Sequence, residues 1–479
     1  MNMTPTRPHL SPVRSRIAAC LRAVSMAAAL LCWSQAHAAT VQAAPAGSPV
    51  TSRQTQLASS GYLEEEFFLR GQAQAYTRDG EWEKDGKWAV KPHGAAQAYE
   101  TRLLVRRPKD PARFNGIVVV EWLNTTMGFD LDGGWILTHD EIEREGYAWV
   151  GVSAEAPGVQ ALKAANATRY AQMQLARNDL AFDIYTQAAQ AIRQAAPGWG
   201  ASNGQSALKS VKLLGLGYSQ SAVFLTTYLD AIQPIGKAYD GFYMRSTAPA
   251  APKVDDTESF VFAPQIRADL NVPVMQLQTE MEVMVSWPLS KTQDTDKVRY
   301  WEIPGASHFD KYLQEQTLPI GDAAFTSVVP HCFKPVNTLP ARMFDHAALH
   351  ALRMWVGNGT LPPKAPRMQR GRIGFIQSDD VGNAQGGLRL PELDAPVAQY
   401  GMYSNFPTNS LSQRARYACV AGGSTNPLDA GALHARYANG PAYVEAYTKA
   451  ADKLLKDGFL RPADHAALIE QAKAVALPK

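Results

Sequence analysis

The sequence GLGYSQSAVFLTTYLDAI, residues 215–232, places a serine between two different periodicities. Before Ser219, residues 211–216 form a mainly apolar run with the length of a strand. After it, apolar residues recur at the spacing of one helix face, at Ala222, Leu225, Leu229 and Ile232. Ser219 therefore lies where a strand passes directly into a helix.

Strand-length apolar runs alternate with helical patterns along much of the chain. The strand-like runs are YETRLLVRR (99–107), GIVVVEW (116–122), YAWVGVS (147–153), VKLLGLG (211–217), VPVMQLQ (272–278) and VRYWEI (298–303). Helical patterns between them include WILTHDEIERE (135–145), which ends before Gly146, and NDLAFDIYTQAAQAIRQ (178–194). Short apolar strands separated by helices predict an α/β fold with a mostly parallel, doubly wound sheet.

The junction itself has the form G-x-S-x-small, with Gly217 and Ser221 on either side of Ser219. A strand that turns sharply into a helix through this pattern is the nucleophile elbow of alpha/beta hydrolases. The sharp turn requires small residues at both flanks and holds the Ser219 hydroxyl at the helix N-terminus, where the N–H of Gln220 can stabilise an oxyanion. Position 221 has serine where the pattern usually ends in glycine. The alternative to a nucleophile elbow is that Ser219 is an incidental serine in a Gly-rich turn.

Two further groups follow in the chain order that this fold requires, which is nucleophile, acid and histidine. The strand VRYWEI leads into PGASHFD, which places His308 in a loop beyond the last predicted strand. The strand VPVMQLQ leads into TEMEV, which supplies Glu280 and Glu282. A serine hydroxyl needs an imidazole to take its proton and a carboxylate to orient that imidazole. Alignment with the strand-then-G-x-x-D pattern favours Glu282 over Glu280.

Several stretches resemble a bacterial, mostly exported group known as the alpha/beta hydrolase domain family. The resemblance runs from about residue 65 to the C-terminus. The stretches that carry it are VVVEWLN (118–124), REGYAWVGVSAE (144–155), GYSQSA (217–222), QTEMEV (278–283), YWEIPGASH (300–308) and GGLRLPELDAPVAQY (386–400). The resemblance implies the alpha/beta-hydrolase fold and a serine hydrolase, and it implies little about the substrate. The family has Glu-x-Asp where this chain has Glu280-Met281-Glu282, so both glutamates stay open as the acid.

The second oxyanion donor of this fold comes from the loop after the strand VVVEW. In this chain the backbone N–H of Asn124 or Thr125 is the candidate. His346 and His350 have H-x-x-x-H spacing on a predicted helix, which is compatible with a metal site, but neither a third ligand nor a glutamate lies between them. The chain also lacks the glycine patterns of nucleotide sites. We therefore expect neither a metal nor a cofactor.

The first 38 residues have the composition of a signal peptide. Arginines precede the apolar run AVSMAAALLCW (23–33), and Ala36-His37-Ala38 fits an A-x-A cleavage site. The apolar run is too short to span a bilayer comfortably. We therefore expect a protein that is periplasmic or secreted after cleavage near Ala38.

Removal of this segment changes both the charge and the cysteine content. The whole chain has 47 basic and 44 acidic residues, and the four arginines of the segment reduce the basic residues to 43. No basic block remains for nucleic acid, and no second long apolar stretch predicts stable membrane insertion. Only Cys332 and Cys419 remain. In an oxidising compartment this pair predicts one disulfide.

The predicted organisation has four parts. Residues 1–38 are the signal peptide, 39–64 a flexible lead-in, 65–360 the hydrolase core and 361–479 a C-terminal extension. The extension is irregular at first and ends in two helices that we expect to pack on the core, with a lid or a wall of the substrate site as its alternative function. Residues 313–340 form an insertion at the rim of the site, where loops set specificity.

Together these patterns predict an exported serine hydrolase that cleaves a carboxylic ester through an acyl-enzyme. Ser219 attacks, His308 serves as base and then acid, Glu282 orients His308, and the Gln220 N–H stabilises the oxyanion. The ester is either a small molecule or a polymer. A serine peptidase or amidase with the same three residues is one alternative. A binding protein of this fold without activity is another, although binding alone does not require all three groups in order.

Overall fold

The computed structural model describes residues 39–51, 53–200, 211–286, 293–317, 332–372, 374–404 and 413–477. The predicted signal peptide lies outside the described residues, as does the 318–331 part of the predicted insertion. No helix in the described part of the chain combines the length and apolar character that a bilayer crossing requires.

Within the described residues, nine strands form the central sheet. They are β1 (Thr40–Ala43), β2 (Tyr62–Arg78), β3 (Val90–Pro108), β4 (Ile117–Trp122), β5 (Ala148–Val152), β6 (Lys212–Tyr218), β7 (Gly241–Arg245), β10 (Val274–Thr279) and β11 (Val298–Ile303). Their order in the sheet is β1-β2-β3-β5-β4-β6-β7-β10-β11. The pairs from β1 to β5 are antiparallel, and the pairs from β5 to β11 are parallel. Two further pairs of strands lie outside this sheet, namely β8 (Ala250–Lys253) with β9 (Asp256–Phe262), and β12 (Ala398–Gly401) with β13 (Ser424–Pro427).

Helices connect the strands and form the C-terminal region. They are α1 (Gln54–Ser60), α2 (Gly133–Glu145), α3 (Ala156–Ala165), α4 (Ala181–Ala195), α5 (Gln220–Thr227), α6 (Glu280–Ser286), α7 (Lys311–Thr317), α8 (Arg342–Asn358), α9 (Pro391–Asp394), α10 (Gln413–Ala421), α11 (Ala430–Arg436), α12 (Gly440–Lys456) and α13 (Pro462–Lys473). Helix α5 continues through a π-helical turn, Tyr228–Ile232, into a last turn, Gln233–Gly236. Helix α2 ends before Gly146, whose φ of 75° is readily adopted by glycine.

The sheet separates two hydrophobic cores, and successive residues of a strand alternate between them. In β4, Val119 belongs to one core with residues of α2 and α8, whereas Val118 and Val120 belong to the other with residues of α4 and α5. A strand that is buried on both faces is an uninterrupted apolar run, which is why β4 reads as IVVV in the sequence. The prediction of a doubly wound, mostly parallel α/β sheet is confirmed.

The segment 39–64 differs from the predicted flexible lead-in. Strand β1 pairs with β2, and α1 precedes β2, which begins at Tyr62 and therefore crosses the predicted boundary. Arg53 is buried and donates hydrogen bonds of 2.8 and 2.9 Å to the Asp132 carboxylate. Because β1 is exposed on both faces, its order comes from backbone pairing and not from an apolar pattern that the sequence displays.

The C-terminal extension packs against the hydrolase core. The ring of Phe459 meets that of Trp301 in β11 at a centroid distance of 5.0 Å. The carboxylate of Asp464 lies 2.8 Å from Arg144 of α2 and 2.8 Å from His346 of α8. A disulfide joins Cys332 to Cys419, whose Cα atoms are 5.4 Å apart. The extension is therefore attached to the core by apolar, ionic and covalent contacts.

Candidate active site

The turn between β6 and α5 has the geometry of a tight elbow. Ser219 has a positive φ of 59° with ψ −119°, a sparsely populated conformation that costs a residue other than glycine about 1–3 kcal/mol. A Cβ atom on Gly217 would lie 2.8 Å from the backbone nitrogen of Ala222, so glycine is required there. Serine is accommodated at position 221 because its hydroxyl is buried and donates to the Tyr218 carbonyl at 3.0 Å. The elbow therefore presents the Ser219 hydroxyl at the N-terminus of α5.

Ser219, His308 and Glu282 form a continuous chain of hydrogen bonds. The Oγ of Ser219 lies 2.8 Å from Nε2 of His308, and Nδ1 of His308 lies 2.5 Å from Oε1 of Glu282. The three side chains come from segments that follow β6, β11 and β10, whose carboxyl ends meet at one edge of the parallel sheet. Residues that are 89 and 26 positions apart in the sequence are brought together in this way.

The environment of Glu282 keeps its carboxylate charged. Its side chain is only 6% exposed, and burial by itself would raise its pKa. Electrostatic attraction to the His308 ring and hydrogen bonds from His308 and Thr279 outweigh burial and hold the pKa of Glu282 below its usual value. The Thr279 hydroxyl donates to Oε2, leaving Oε1 for the histidine. Thr279 therefore supports the Glu282 carboxylate, a role that the local pattern TEMEV does not indicate.

Glu280 has a different position. Its Oε2 accepts a hydrogen bond of 2.6 Å from the N–H of Gly305, in the loop that carries His308. Burial raises the pKa of Glu280 to about 7. Glu282 thus contacts the imidazole, whereas Glu280 contacts the backbone of the same loop.

Two further residues, which the sequence analysis did not identify, hold the His308 loop. The hydroxyl of Tyr218 donates to the His308 carbonyl at 2.9 Å, and its ring stacks on the imidazole at a centroid distance of 5.5 Å. The side-chain amide of Asn337 donates to the Gly305 carbonyl at 2.7 Å. The only signal in the sequence was the position of Tyr218 beside the nucleophile.

The GGLRLPELD part of the C-terminal extension also supports this loop. The N–H of Leu388 donates to the Glu302 carbonyl at 2.8 Å, at the end of β11. Gly387 has φ 67°, and a Cβ atom there would lie 3.0 Å from the same carbonyl oxygen. This stretch of the C-terminal extension therefore packs where the chain leaves the sheet toward His308.

The loop after β4 lies beside the elbow. Asn124 and Thr125, the two alternative oxyanion donors predicted in this loop, differ in the hydrogen bonds that their backbone N–H groups form. The N–H of Asn124 is occupied, because it donates to the Leu131 carbonyl at 3.1 Å in an isolated bridge. The backbone N–H of Asn124 is thus directed toward Leu131, and its side chain donates to the Tyr218 carbonyl at 2.8 Å. The N–H of Thr125 faces the elbow and donates a long hydrogen bond of 3.2 Å to Oε1 of Gln220. Thr125 and Gln220 are thus adjacent.

A buried carboxyl group lies directly behind these two residues. Glu155 is 2% exposed and accepts a hydrogen bond of 2.9 Å from the indole N–H of Trp122. The amide nitrogen of Gln220 lies 2.8 and 2.9 Å from its two oxygens. Burial raises the pKa of Glu155 to about 7. Glu155 ends the REGYAWVGVSAE stretch, but nothing in that local pattern indicated its contact with a residue 65 positions away.

The Ser219 hydroxyl opens into a cleft between the elbow, the His308 loop and α7. The described side chains that line it are apolar, aromatic or neutral polar, and none is Asp, Glu, Lys or Arg; they are Asn124, Thr126, Met127, Leu131, Tyr218, Ser219, His308, Phe309, Leu313, Gln314, Thr317 and Tyr417. Three of them belong to α7, at the beginning of the insertion that we predicted to border the site. A cleft of this character favours an uncharged ligand.

The H-x-x-x-H pair of α8 is divided between two environments. His346 lies 2.8 Å from Asp464, whereas His350 lies 3.4 Å from Glu141. Ligand atoms of His350, Glu141 and Glu145 lie within 4.8 Å of one another. Arginine side chains already pair with these two glutamates, namely Arg144, Arg353 and Arg461. The cluster is a set of ion pairs that connects α2, α8 and the C-terminal extension.

Comparisons with known proteins identify a family and several similar solved structures. The sequence matches the family described as alpha/beta hydrolase domain over residues 35–470. No curated protein matches the chain. Similar solved structures include a serine hydrolase without lid from Xanthomonas campestris (10% identity, 52% of this chain, 96% of that chain, TM-score 0.29). Others are Est1E from Butyrivibrio proteoclasticus (11%, 52%, 96%, 0.26) and dienelactone hydrolase from Anabaena variabilis (12%, 46%, 89%, 0.25).

Proposed function

Because this chain belongs to the alpha/beta hydrolase domain family, we propose that it is an exported serine hydrolase that cleaves carboxylic esters through an acyl-enzyme. The observation that carries the proposal is the hydrogen-bonded chain from Ser219 through His308 to Glu282, with the serine on a strained elbow. Export rests on the signal-peptide pattern of residues 1–38.

The first half of the reaction forms the acyl-enzyme. The Oγ of Ser219 attacks the ester carbonyl carbon while Nε2 of His308 takes the hydroxyl proton. Nδ1–H of His308 donates to the Glu282 carboxylate, which stabilises the imidazolium that forms. The negative charge on the former carbonyl oxygen is stabilised by the N–H groups of Gln220 and Thr125. Collapse of this intermediate breaks the ester C–O bond, and His308 returns the proton to the leaving alcohol.

The second half repeats these steps with water. His308 takes a proton from a water molecule as its oxygen attacks the acyl carbon. Collapse of the second tetrahedral intermediate breaks the bond to Ser219 Oγ, which regains its proton from His308, and releases the carboxylic acid.

The cleft supports an uncharged ester as the substrate. A charged group moved from water into this cleft would find none of the described lining side chains carrying an opposite charge. Because an unpaired charge is costly to desolvate, neutral acyl and alcohol groups are favoured.

Labelling of the serine tests the proposal. We expect a fluorophosphonate probe to label the mature wild-type protein, with the adduct on the peptide that contains Ser219. Ser219→Ala should abolish labelling, whereas Ser59→Ala, at an exposed serine of α1, should leave it intact. Turnover of an ester and its matching amide then separates esterase from amidase activity. Undiminished labelling of Ser219→Ala would contradict the assignment.

A further inference from the structure

We propose that Glu155 is a positioning residue that holds both backbone donors of the oxyanion site in place. The inference rests on the proposed function, because it concerns the same tetrahedral intermediate. Glu155 acts through Gln220 and Thr125 and does not itself contact the reacting atoms.

The first observation is that one carboxyl group holds the side chain of Gln220, which in turn holds Thr125. The two oxygens of Glu155 accept from Nε2 of Gln220 at 2.8 and 2.9 Å. Oε1 of the same Gln220 amide accepts a hydrogen bond from the backbone N–H of Thr125. Gln220 follows the nucleophile on α5, and Thr125 lies in the loop after β4, so Glu155 joins two separate elements at the point where the oxyanion forms.

The second observation concerns the orientation of the Gln220 amide. Because both oxygens of Glu155 accept from Nε2, the Oε1 end of the amide must face away from Glu155. That oxygen accepts the N–H of Thr125 at 3.2 Å. Glu155 therefore fixes an acceptor opposite the N–H of Thr125 and keeps this N–H directed toward the elbow. The substrate oxyanion replaces Oε1 as the acceptor of that N–H.

The third observation is the kind of partner that Glu155 has. Asp130 and Asp132, two other buried carboxylates, pair with arginines, whereas Glu121 is bound by neutral donors that do not belong to the elbow. Glu155 is bound instead by the neutral donors Trp122 and Gln220. Burying a carboxyl group among neutral donors is costly, and an apolar side chain would fill the space at lower cost. The cost is explained if the hydrogen bonds set the geometry of the site.

Glu155→Gln is the principal variant, because it keeps the shape of the side chain but replaces one acceptor with a donor. We expect kcat for a neutral aryl ester to fall about 10- to 100-fold, less than the about 10²- to 10³-fold loss that follows complete removal of an oxyanion donor. KM should change little. The affinity for a trifluoromethyl ketone, whose adduct places an oxyanion in the same position, should fall in parallel with kcat/KM. Gln220→Ala should cause a similar loss of kcat. The double variant should have a kcat no lower than that of the less active single variant.

Glu121→Gln is the matched control. Glu121 is also buried, burial raises its pKa to about 8, and it accepts from a tryptophan indole, that of Trp149, at 2.9 Å. Its other partners are N–H groups of α2 and not residues of the elbow. This variant should keep wild-type kcat and ketone affinity.

Three results would overturn the inference. The first is a Glu155→Gln protein with kcat and ketone affinity within about threefold of wild type. The second is a loss of activity that only accompanies a lowered Tm and is shared by Glu121→Gln, since that outcome indicates a structural role. The third is strict additivity of the Glu155 and Gln220 losses. A wild-type protein that no fluorophosphonate labels would instead remove the proposed function, and the inference with it.

Discussion

Replacing Glu282 with glutamine keeps the shape of the side chain but should reverse the tautomer of His308. In the wild type, Oε2 of Glu282 accepts from the Thr279 hydroxyl and from the Thr279 N–H at 3.3 Å. In the Glu282→Gln variant the amide oxygen must take this place, because an NH₂ group would face the Thr279 N–H. The NH₂ group then faces Nδ1 of His308, which must accept, so the ring proton moves to Nε2. Nε2 is the atom that has to accept the proton of Ser219.

The expected loss of kcat is large because this variant removes both the reactive tautomer of His308 and the negative charge that stabilises its imidazolium. In a comparable triad the same kind of change lowers kcat by about 10⁴-fold, equivalent to about 5.5 kcal/mol of transition-state stabilisation. Glu280→Gln is the matched control, two residues away. Its amide oxygen can still accept from Gly305, and burial, which raises the pKa of Glu280 to about 7, favours an uncharged side chain at this position. We expect this control to stay within about threefold of wild-type kcat.

The assay is turnover of a p-nitrophenyl ester, with active sites counted by a fluorophosphonate and folding checked by Tm. A large loss in Glu280→Gln with near-normal turnover in Glu282→Gln would show that Glu280 is the acid. Normal turnover in both variants would refute the involvement of either carboxylate.

Three further predictions follow from other parts of the structure. Reduction of Cys332–Cys419, or the double change to serine, should lower Tm measurably, because the bond closes 87 residues and loop-closure entropy assigns it roughly 4–5 kcal/mol; an unchanged Tm would contradict this. Burial raises the pKa of Glu392 from 4.5 to about 7, so between these pH values the folded state retains a proton that the unfolded chain releases. The free energy of unfolding should therefore fall by up to about 3 kcal/mol as pH rises from about 4.5 to 7. Glu392→Gln keeps an acceptor for Tyr447, and its Tm relative to wild type should therefore rise between pH 5 and pH 8, whereas a constant difference would argue against the shift. In the cleft, the neutral ester p-nitrophenyl butyrate should be hydrolysed with at least about tenfold higher kcat/KM than the negatively charged mono-p-nitrophenyl succinate. Gln314→Lys should reduce this difference in kcat/KM, with Gln316→Lys as the control outside the cleft. Equal kcat/KM values for the two esters in the wild type would exclude discrimination by charge.

The sequence by itself determined the architecture and the positions of Ser219 and His308, because both depend on local patterns. Strand and helix periodicities follow from backbone geometry, so the alternation of apolar runs was sufficient to predict the parallel sheet. The elbow requires small residues around the serine for steric reasons that act within five residues. Chain order then identified the loop of the histidine.

Only the tertiary structure decided which groups meet. Glu280 and Glu282 are separated by one residue, and their different contacts with Gly305 and His308 result from how α6 is placed against another loop. Asn124 and Thr125 are neighbours in the sequence, and only the fold pairs the N–H of Asn124 with the Leu131 carbonyl. Glu155 reaches Gln220 across 65 residues of sequence. Such contacts depend on packing between distant segments, and that packing leaves no periodic signal in the chain.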